Sequence, residues 1–400
     1  MNKILYTENL EDAKQELDKI KVSSQGVIVM APKALGANIK LTNVKVAAAN
    51  ILKQEMLSIG GDAAVARGVV NGTELLSDLV LLGNADKIQK LIKKLGNQTI
   101  FGLPEIRKDL QRFYNILIDR QDININCRGR ILTPDSTKIM GIINVTPDSF
   151  SDGNKFIDTE KAAQQALRMI EEGADIIDVG GESTRPGAKA VTADEELRRV
   201  IPVIKAIREK SDIPISIDTS KAIVARAAIE AGANIVNDIS ALNADQEMTA
   251  VLKEHRDVPI ILMHMQGTPE TMQNKPHYED VIDEIMNFFD ERINFCVVSG
   301  ISIDRIIIDP GIGFGKRQED NLMILKKIRE FRSFGVPVLL GASRKSFLNK
   351  IIPSNADERI NGSLATTAIA HSNFIEMVRV HDVKEHKQLL KTLDAIRRVK

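Results

Sequence analysis

Short apolar runs and amphipathic stretches alternate regularly over the last two thirds of the chain. From Lys138 onward, short runs of β-branched and other apolar residues are separated by longer stretches in which apolar positions recur every three or four residues. The short runs predict buried strands and the longer stretches predict amphipathic helices. The eight predicted strands are Ile139–Ile143, Ile176–Val179, Ile215–Ile217, Ile235–Val236, Pro259–Met263, Ile306–Ile308, Val338–Leu340 and Ile375–Val380.

The helical stretches between these runs indicate how the strands are connected. Strands this apolar are buried on both faces, which is typical of parallel strands covered by helices. A regular eightfold repeat predicts a (β/α)8 TIM barrel. A doubly wound open sheet is the alternative, but it rarely needs eight regular units. The clearest helical stretches are Thr159–Glu172, Ala193–Glu209, Lys221–Ala231, Tyr278–Val298, Asp320–Phe331, Glu358–His371 and Val383–Arg398.

The beginning of the chain has a different pattern and predicts a separate small α/β module. We therefore expect the module in residues 1–120 and the barrel in residues 121–400, with a boundary near the polar segment Asp119–Asn126. A small hairpin is expected at Ile125–Leu132, with Arg128-Gly129 at its turn. In the module, helical stretches (Glu8–Lys21, Val44–Ile59, Ala85–Leu95, Leu103–Ile118) alternate with apolar runs (Val27–Met30, Leu79–Leu82).

Composition excludes several classes of protein. The 400 residues carry 54 basic and 54 acidic side chains, so no net field would attract nucleic acid, and aromatic residues make up only 4% with no Trp. No apolar run approaches the ~20 residues that span a bilayer. The polar N-terminus lacks the features of a signal peptide, and the two isolated cysteines match no metal or redox spacing. We expect a cytoplasmic protein.

Chemically active residues follow every predicted strand. The active site of a TIM barrel lies at the carboxyl ends of its strands. A single Asp or Asn at such a position could equally cap a helix, but a barrel without a ligand would not need all of them. The residues are Asn144, Gly180–Arg185, Asp218, Asn237-Asp238, His264, Asp309, Ser343–Lys345, Arg379 and His381.

These groups predict a polar heterocycle that carries phosphate. Asp218 and Asp309 are acceptors, and the two parallel N–H donors of an amidine-like edge would suit one of them. Asn237 offers both a donor and an acceptor, which fits another edge of a flat heterocycle. The cationic or potentially cationic groups indicate an anion, most simply phosphate. They are Arg185, Lys345, Arg379 and His381.

Two local features at the predicted mouth leave alternatives open. The segment Asp309–Lys316 is rich in glycine but matches neither nucleotide-binding motif, so its glycines indicate backbone room beside a ligand or a turn, and no nucleotide binding is assigned. Lys345 could bind phosphate or act as a Schiff-base lysine. Ser346 stands at a predicted helix start, where backbone N–H groups attract an anion such as a carboxylate.

At these residues the sequence closely resembles the dihydropteroate synthases, the folate-pathway enzymes that sulfonamides inhibit. The resemblance implies that the pterin CH2 of 6-hydroxymethyl-7,8-dihydropterin diphosphate is joined to the amine of p-aminobenzoate, with release of pyrophosphate. The matching segments are collinear over about Ile125–Lys400. They are Met140–Gly153, Asp178–Gly187, Ile217–Lys221, Asn237-Asp238, Met263–Gly267, Asp309–Gly311, Ser343–Ser346 and Arg379–Val383.

The resemblance also implies a role for each matching residue. Asp218, Asn237, Asp309 and Lys345 would hold the pterin, with Met263 packed on its ring. The diphosphate would be held by Asn144, Thr184, Arg379 and His381, with Mg2+ at Asn144. The aminobenzoate pocket would comprise Phe150, Pro186, Lys345 and Ser346. Asp152, on the first of two mobile loops, would face the developing positive charge, and Arg185 would lie on the second loop.

The extra residues 1–120 depart from the family's usual chain, which is the barrel alone. No catalytic motif is evident in them, so they are expected to pack or oligomerise, or else to bind a regulator or partner. Their presence leaves open whether the barrel forms the homodimer that relatives form. The other readings of the barrel are a methyltetrahydrofolate:corrinoid methyltransferase, a non-catalytic pterin-binding paralogue and a Schiff-base aldolase that uses Lys345.

Overall fold

The computed structural model describes residues 3–7, 9–71, 73–118, 124–133, 136–146, 155–183 and 190–399. The chain divides into two compact units, Met1–Asp122 and Ile123–Lys400. Within the described ranges, no helix is both long and apolar enough to cross a membrane.

The first unit is a three-stranded antiparallel sheet with helices. Its strands are β1 (Gly36–Lys45), β2 (Asp62–Val65) and β3 (Leu76–Asn84), in the spatial order β1-β3-β2. Its core contains residues such as Leu52, Leu81 and Leu91, each fully buried. The helices are α1 (Leu10–Lys19), α2 (Ser24–Met30), α3 (Val46–Ser58), α4 (Arg67–Asn71), α5 (Ala85–Lys94) and α6 (Leu103–Ile118).

The sequence predicted this unit only in part. Of the two apolar runs, Leu79–Leu82 lies in β3, whereas Val27–Met30 lies in α2, whose first turn is capped by the Ser23 side chain accepting from the Gly26 N–H. Strand β1 was not predicted. Its buried residues alternate with exposed ones, as in a sheet with one face in water, so it contains no continuous apolar run.

The predicted hairpin is present at the start of the second unit. Its strands are β4 (Ile125–Cys127) and β5 (Arg130–Leu132). Arg128 and Gly129 have φ values of 52° and 80°, as a two-residue turn with both central residues left-handed requires. The Arg128 Nη1 donates to the carbonyl oxygens of Ile229 and Ala233, which ties this turn to the barrel.

The rest of the second unit is the predicted barrel. The strands are β6 (Lys138–Asn144), β7 (Ile176–Gly180), β8 (Ile215–Asp218), β9 (Ile235–Asp238), β10 (Ile260–Met263), β11 (Ile306–Asp309), β12 (Leu339–Leu340) and β13 (Met377–Val380). The helices are α7 (Lys155–Glu172), α8 (Ala193–Arg208), α9 (Ala222–Glu230), α10 (Met248–Glu254), α11 (Val281–Val298), α12 (Gln318–Lys326), α13 (Ser346–Ile351), α14 (Ile360–Ser372) and α15 (Val383–Arg397).

The eight strands are parallel and the ring closes. Their order is β11-β10-β9-β8-β7-β6-β13-β12, and a parallel bridge between Ile308 and Val338 joins the two ends. The predicted TIM barrel is confirmed. The predicted helix Asp320–Phe331 is interrupted, since α12 ends at Lys326 and a 3-10 helix covers Ile328–Phe334.

The side chains that point into the barrel form two layers, an apolar floor and, nearer the carboxyl ends of the strands, a more polar mouth. One inward residue from most strands packs with Ile125 and Cys127 of the hairpin to form the floor. Because strand side chains alternate, the residue two positions later points to the same side, nearer the carboxyl end. The floor residues are Met140, Ile176, Ile235, Ile261, Ile307, Leu339 and Met377. The residues two positions later are Ile142, Asp178, Asn237, Met263, Asp309, Gly341 and Arg379.

Candidate active site

An arginine that bridges two aspartates lies at the centre of the barrel mouth. The Arg379 Nε donates to Asp178 Oδ2 at 2.6 Å, and its Nη2 donates to Asp218 Oδ2 at 2.6 Å. The Asn237 Nδ2 also donates to Asp178 Oδ2, at 3.4 Å. Asp178 is fully buried, and its Oδ1 has no hydrogen-bond partner among the described residues. One guanidinium therefore serves two carboxylates in a largely buried site.

Burial brings the ionisation of Asp218 close to neutral pH. Burial raises the pKa of this carboxyl to about 7, Arg379 opposes the rise, and the negative charges of Asp178, Glu196 and Asp238 add to it. Burial by itself would lower the pKa of the Arg379 guanidinium. The neighbouring carboxylates outweigh that effect and hold this pKa above its ordinary value.

Asp309 and Lys345 face the same space from two other strand ends. The Asp309 Oδ1 accepts from the Gly311 N–H at 2.8 Å, and burial raises the pKa of this carboxyl. The Lys345 Nζ lies 4.0 Å from the centre of the Phe314 ring. Burial and the positive charge of Arg379 lower the pKa of Lys345 to about 8, whereas Asp309 and Asp218 raise it. This lysine is still largely protonated at neutral pH.

The glycines that follow β11 permit close contact with the loop that follows β10. Gly311 has φ 69°, and a Cβ there would lie 2.0 Å from the carbonyl oxygen of His264. Gly315 has φ 61°, and its Cβ would lie 2.4 Å from the carbonyl oxygen of Gln266. These two glycines therefore make room for the backbone of a neighbouring loop, which the sequence analysis did not predict.

Substitution of Gly311 should show how much that contact contributes. Gly311→Ala should lower the free energy of unfolding by clearly more than the ~1 kcal/mol of a left-handed alanine, because the backbone must also shift. Gly300→Ala is the matched control, since Gly300 has φ 88° but nothing within 4 Å of its Cβ position. Urea unfolding of both variants checks this, and equal losses would contradict the close-approach explanation.

A buried lysine that the sequence analysis did not single out supports the same loop. The Lys316 Nζ lies 2.9 Å from His264 Nδ1 and donates to the carbonyl oxygens of His264 and Phe314 at 3.3 Å and 3.1 Å. Burial lowers the pKa of Lys316 to about 7. Burial, followed by the charge of Lys316, holds the pKa of His264 well below its ordinary value. The only feature of the sequence that pointed to Lys316 was its position at the end of a glycine-rich segment.

His381 follows β13 directly and is hydrogen-bonded to Ser343. The His381 Nδ1 lies 3.1 Å from Ser343 Oγ. Burial, and then the charges of Arg379 and Arg344, lower the pKa of His381 to about 3, so it is neutral where the sequence allowed a cation. The Arg344 Nε donates to Asp382 Oδ2 at 2.9 Å, so the charge of Arg344 is compensated by this carboxylate.

A cavity of about 450 Å3 opens beside Asp218 and Met263. Met263 belongs to a small apolar cluster with Met272 and Phe314. Polarizable methionine and an aromatic ring beside carboxylates suit a flat heterocycle that has a polar edge.

The structure brings together most of the predicted site. Asp218, Asn237, Met263, Asp309 and Arg379 stand at or next to the carboxyl ends of their strands, with Lys345 beside them. Asn144 ends β6, is partly buried and is paired in the sheet with Gly180. Ser346 is the exposed first residue of α13. The predicted residues Phe150, Asp152, Thr184, Arg185 and Pro186 lie outside the described residues.

Two further features were missed by the sequence analysis. Asp178 was visible as a charged residue inside an apolar strand, at an inward position. An ion cluster beside the cavity comprises Lys221, Glu182 and Glu196. Its only signal in the sequence was that Glu182 and Lys221 closely follow two strand ends. No group of three or more His, Cys, Asp or Glu side chains in the described part of the chain could hold a metal ion.

Comparison with known proteins agrees with this parallel barrel and its polar mouth. A family model described as pterin binding enzyme matches residues 140–381. The chain belongs to the pterin-binding enzyme family.

Within this family, similar proteins include several dihydropteroate synthases. A dihydropteroate synthase of Synechocystis sp. is 48% identical over 261 residues, which cover 65% of this chain and 90% of that protein. A solved structure of Xanthomonas albilineans dihydropteroate synthase with 4-aminobenzoic acid is 43% identical, with a TM-score of 0.66, and covers 70% of this chain and 100% of that one.

A third relative also matches the first unit. The probable bifunctional folylpolyglutamate synthase/dihydropteroate synthase of Haloferax volcanii is 38% identical over 387 residues, which cover 94% of this chain and 45% of that protein. This match is longer than the whole second unit, so it continues into residues 1–122.

Proposed function

We propose that this protein is a transferase with dihydropteroate synthase activity in folate synthesis. It joins the CH2 of 6-hydroxymethyl-7,8-dihydropterin diphosphate to the amine of p-aminobenzoate and releases pyrophosphate. The observation that carries the proposal is the buried Asp218–Arg379–Asp178 arrangement next to Asp309 and Lys345, in a barrel whose relatives at 43–48% identity are dihydropteroate synthases.

The carboxylates supply the recognition of the pterin. Asp309 and Asp218 accept from the paired N–H groups of the 2-amino-pyrimidinone edge, which in a buried site must meet acceptors. Asn237 contacts another edge of the ring, and Met263 packs on its face. Lys345 donates to an acceptor of the pterin, since its Nζ lies over the Phe314 ring and interacts with the charge of Asp309.

The diphosphate is held by the cationic and neutral donors of the mouth. Arg379 offers charge, His381 is a neutral donor, and Asn144 and Thr184 complete the set. A Mg2+ ion fits here only as one carried by the diphosphate, with Asn144 as a protein ligand, because Mg2+ commonly keeps few protein ligands beside substrate phosphates. When bound, it would neutralise the charge that appears on the leaving diphosphate.

The reaction is an SN1-like alkyl transfer. The dihydropterin delocalises positive charge at its CH2, so the C–O bond to the diphosphate breaks before the amine attacks, and the amine then loses its proton. Asp152 faces the developing cation, and Arg185 and Lys345 complete the catalytic group. An aniline nitrogen is a weak nucleophile that chiefly needs positioning, which Phe150, Pro186 and Ser346 would provide.

The direct test is formation of 7,8-dihydropteroate by the full chain from the two substrates, with and without Mg2+. Mg2+-dependent product supports the proposal. Binding of the pterin diphosphate without product would instead favour a non-catalytic pterin-binding protein, and transfer of a methyl group to a corrinoid protein would favour the methyltransferase. Borohydride trapping of substrate on Lys345 would favour the aldolase.

The order of bond breaking can be tested separately. With p-aminobenzoate absent, a diphosphate labelled with 18O at the bridge to the CH2 should exchange that label with nonbridging positions while it is bound. Retention of the label at the bridge would argue against a discrete cation.

Asp152→Asn should separate chemistry from binding. We expect at least a tenfold lower kcat, because removal of the negative charge leaves the developing cation less stabilised. Affinity for the pterin diphosphate should change little. Steady-state kinetics and calorimetry together check this, and an equal loss of both quantities would contradict the role.

Residues 1–120 are proposed to be an accessory module that packs or oligomerises. The Xanthomonas albilineans enzyme aligns over its whole length with 70% of this chain, so that relative has no counterpart to much of the remainder. The Haloferax volcanii relative does share the segment, which supports an arrangement that recurs beside the barrel.

A further inference from the structure

A lysine shared by two glutamates lies beside the cavity. The Lys221 Nζ donates to Glu182 Oε2 and, at 2.7 Å, to Glu196 Oε2. Glu196 is fully buried, and its Oε1 has no hydrogen-bond partner among the described residues. One ammonium ion therefore compensates two carboxylates, and the cluster keeps one net negative charge. None of these three side chains has a role in the synthase reaction proposed above.

The cluster and Asp218 pack against consecutive residues of one segment. A Cβ on Gly180 would lie 3.5 Å from the Asp218 Cβ, and a Cβ on Gly181 would lie 2.9 Å from the Glu196 Cγ. Glu182, Glu196 and Asp218 also line the same cavity. The charge of the cluster thus acts on Asp218 across two glycines, in a poorly solvated region where charges are weakly screened.

We propose that Lys221 is a positioning residue: by compensating the charges of Glu182 and Glu196, it increases the fraction of Asp218 that is ionised at neutral pH and can accept the N–H donors of the pterin. The identity of the ligand rests on the proposed function. The charge state of Asp218 is a property of the protein alone, and it can be measured without any ligand.

The other charges around Asp218 are nearly balanced, which is why one lysine matters. Burial already raises the pKa of Asp218 to about 7. With an effective dielectric constant of about 20, one added unit charge roughly 10 Å away shifts such a midpoint by about one pH unit. Facing Asp218 are Arg379 from β13, Lys345 before α13, Asp178 from β7, Asp238 from β9 and Glu196 from α8.

The expected direction of each shift follows from the net charge of the cluster. Lys221→Met leaves two uncompensated carboxylates, so the Asp218 midpoint rises and less of it is ionised at pH 7. Glu196→Gln leaves the cluster neutral, so the midpoint falls. The double variant Lys221→Met/Glu196→Gln returns to one negative charge and should return close to the wild-type midpoint. A lysine that acted only through its hydrogen bonds would show no such recovery.

The experiment is an infrared difference titration of the Asp218 carboxyl on the full chain. Each variant is compared with the same variant carrying Asp218→Asn, which isolates this one group. The midpoints should increase in the order Glu196→Gln, wild type with the double variant, then Lys221→Met. Lys387→Met is the matched control, because Lys387 pairs with Asp175 at the other end of β7, at 3.7 Å, and it should leave the midpoint unchanged. Coinciding midpoints, or single variants that shift in the same direction, would overturn the proposal.

Glu182→Gln keeps the test decisive if Lys221→Met does not fold. Glu182 is partly exposed, and a glutamine oxygen can still accept the hydrogen bond from the Val191 N–H, which is 3.2 Å long. This variant must lower the midpoint, and an unchanged midpoint would also overturn the proposal. The pH profile of dihydropteroate formation is measured alongside. The expected order of midpoints without any condensation would support the effect of Lys221 and refute the synthase activity instead.

Discussion

Arg379→Ala should be the most damaging single substitution in the barrel mouth. It should lower the free energy of unfolding by about 3–5 kcal/mol, because it leaves two buried carboxylates, Asp178 and Asp218, without their partner. It should also weaken binding of the pterin diphosphate by at least about tenfold, through loss of a charged donor. Urea unfolding and calorimetric titration with the pterin diphosphate measure the two effects.

The loss of stability in Arg379→Ala should depend on pH in a defined direction. The arginine interacts favourably only with the ionised carboxylates. Its removal therefore costs most above the pKa of about 7 of Asp218, and less as falling pH protonates this group. The difference in unfolding free energy between wild type and variant should be larger at pH 8 than at pH 5.5.

A buried pair at the other end of the same strand provides the control. The Arg332 Nε donates to Glu376 at 3.0 Å, and both side chains are buried. Arg332→Ala should lose a comparable amount of stability but leave diphosphate affinity unchanged. Near-normal diphosphate affinity in Arg379→Ala would remove the assignment of Arg379 to the diphosphate.

Asp309→Ala should abolish most of the pterin affinity. The variant leaves paired N–H donors of the ligand without an acceptor in a buried site, at a cost of about 1–3 kcal/mol or more, which is roughly 5- to 150-fold in affinity. It also removes the acceptor of the Gly311 N–H, so some stability should be lost as well. Calorimetric titration with 6-hydroxymethylpterin measures the affinity without the diphosphate.

Two variants separate these contributions to the Asp309→Ala effect. Asp309→Asn keeps an acceptor for Gly311 but not the negative charge, so it should bind the pterin with intermediate affinity. Asp280→Ala is the control, because the Asp280 carboxylate accepts from the backbone N–H groups of Ile282 and Asp283 at the start of α11. It should lose stability and keep pterin affinity. Wild-type affinity in Asp309→Ala would contradict the pterin assignment.

The barrel could be predicted from the sequence because its signals are local and repeated. Runs such as Ile306–Ile308 and Ile260–Met263 are buried on both faces and therefore lack polar interruptions. The first unit was harder, since β1 alternates buried and exposed residues and a short apolar run, Val27–Met30, can be a strand or a helix.

The members of the site could also be predicted, because the carboxyl ends of barrel strands converge on one face. Asp218, Asn237, Asp309 and Arg379 stand where that rule places them. What could not be predicted is which of them pair. Arg379 bonds to Asp178 and Asp218, which are 201 and 161 residues away along the chain. Asp178 itself was visible only as an anomaly in an apolar strand.

The amino-acid sequence by itself determined the eightfold repeat, the residues at each strand end and the family to which the chain belongs, because these depend on residue type and order. Only the tertiary structure decided the charge states, because pKa values depend on burial and on distances between groups far apart in the chain. It made His381 neutral, brought the pKa of Asp218 to about 7 and placed Lys221 between two glutamates.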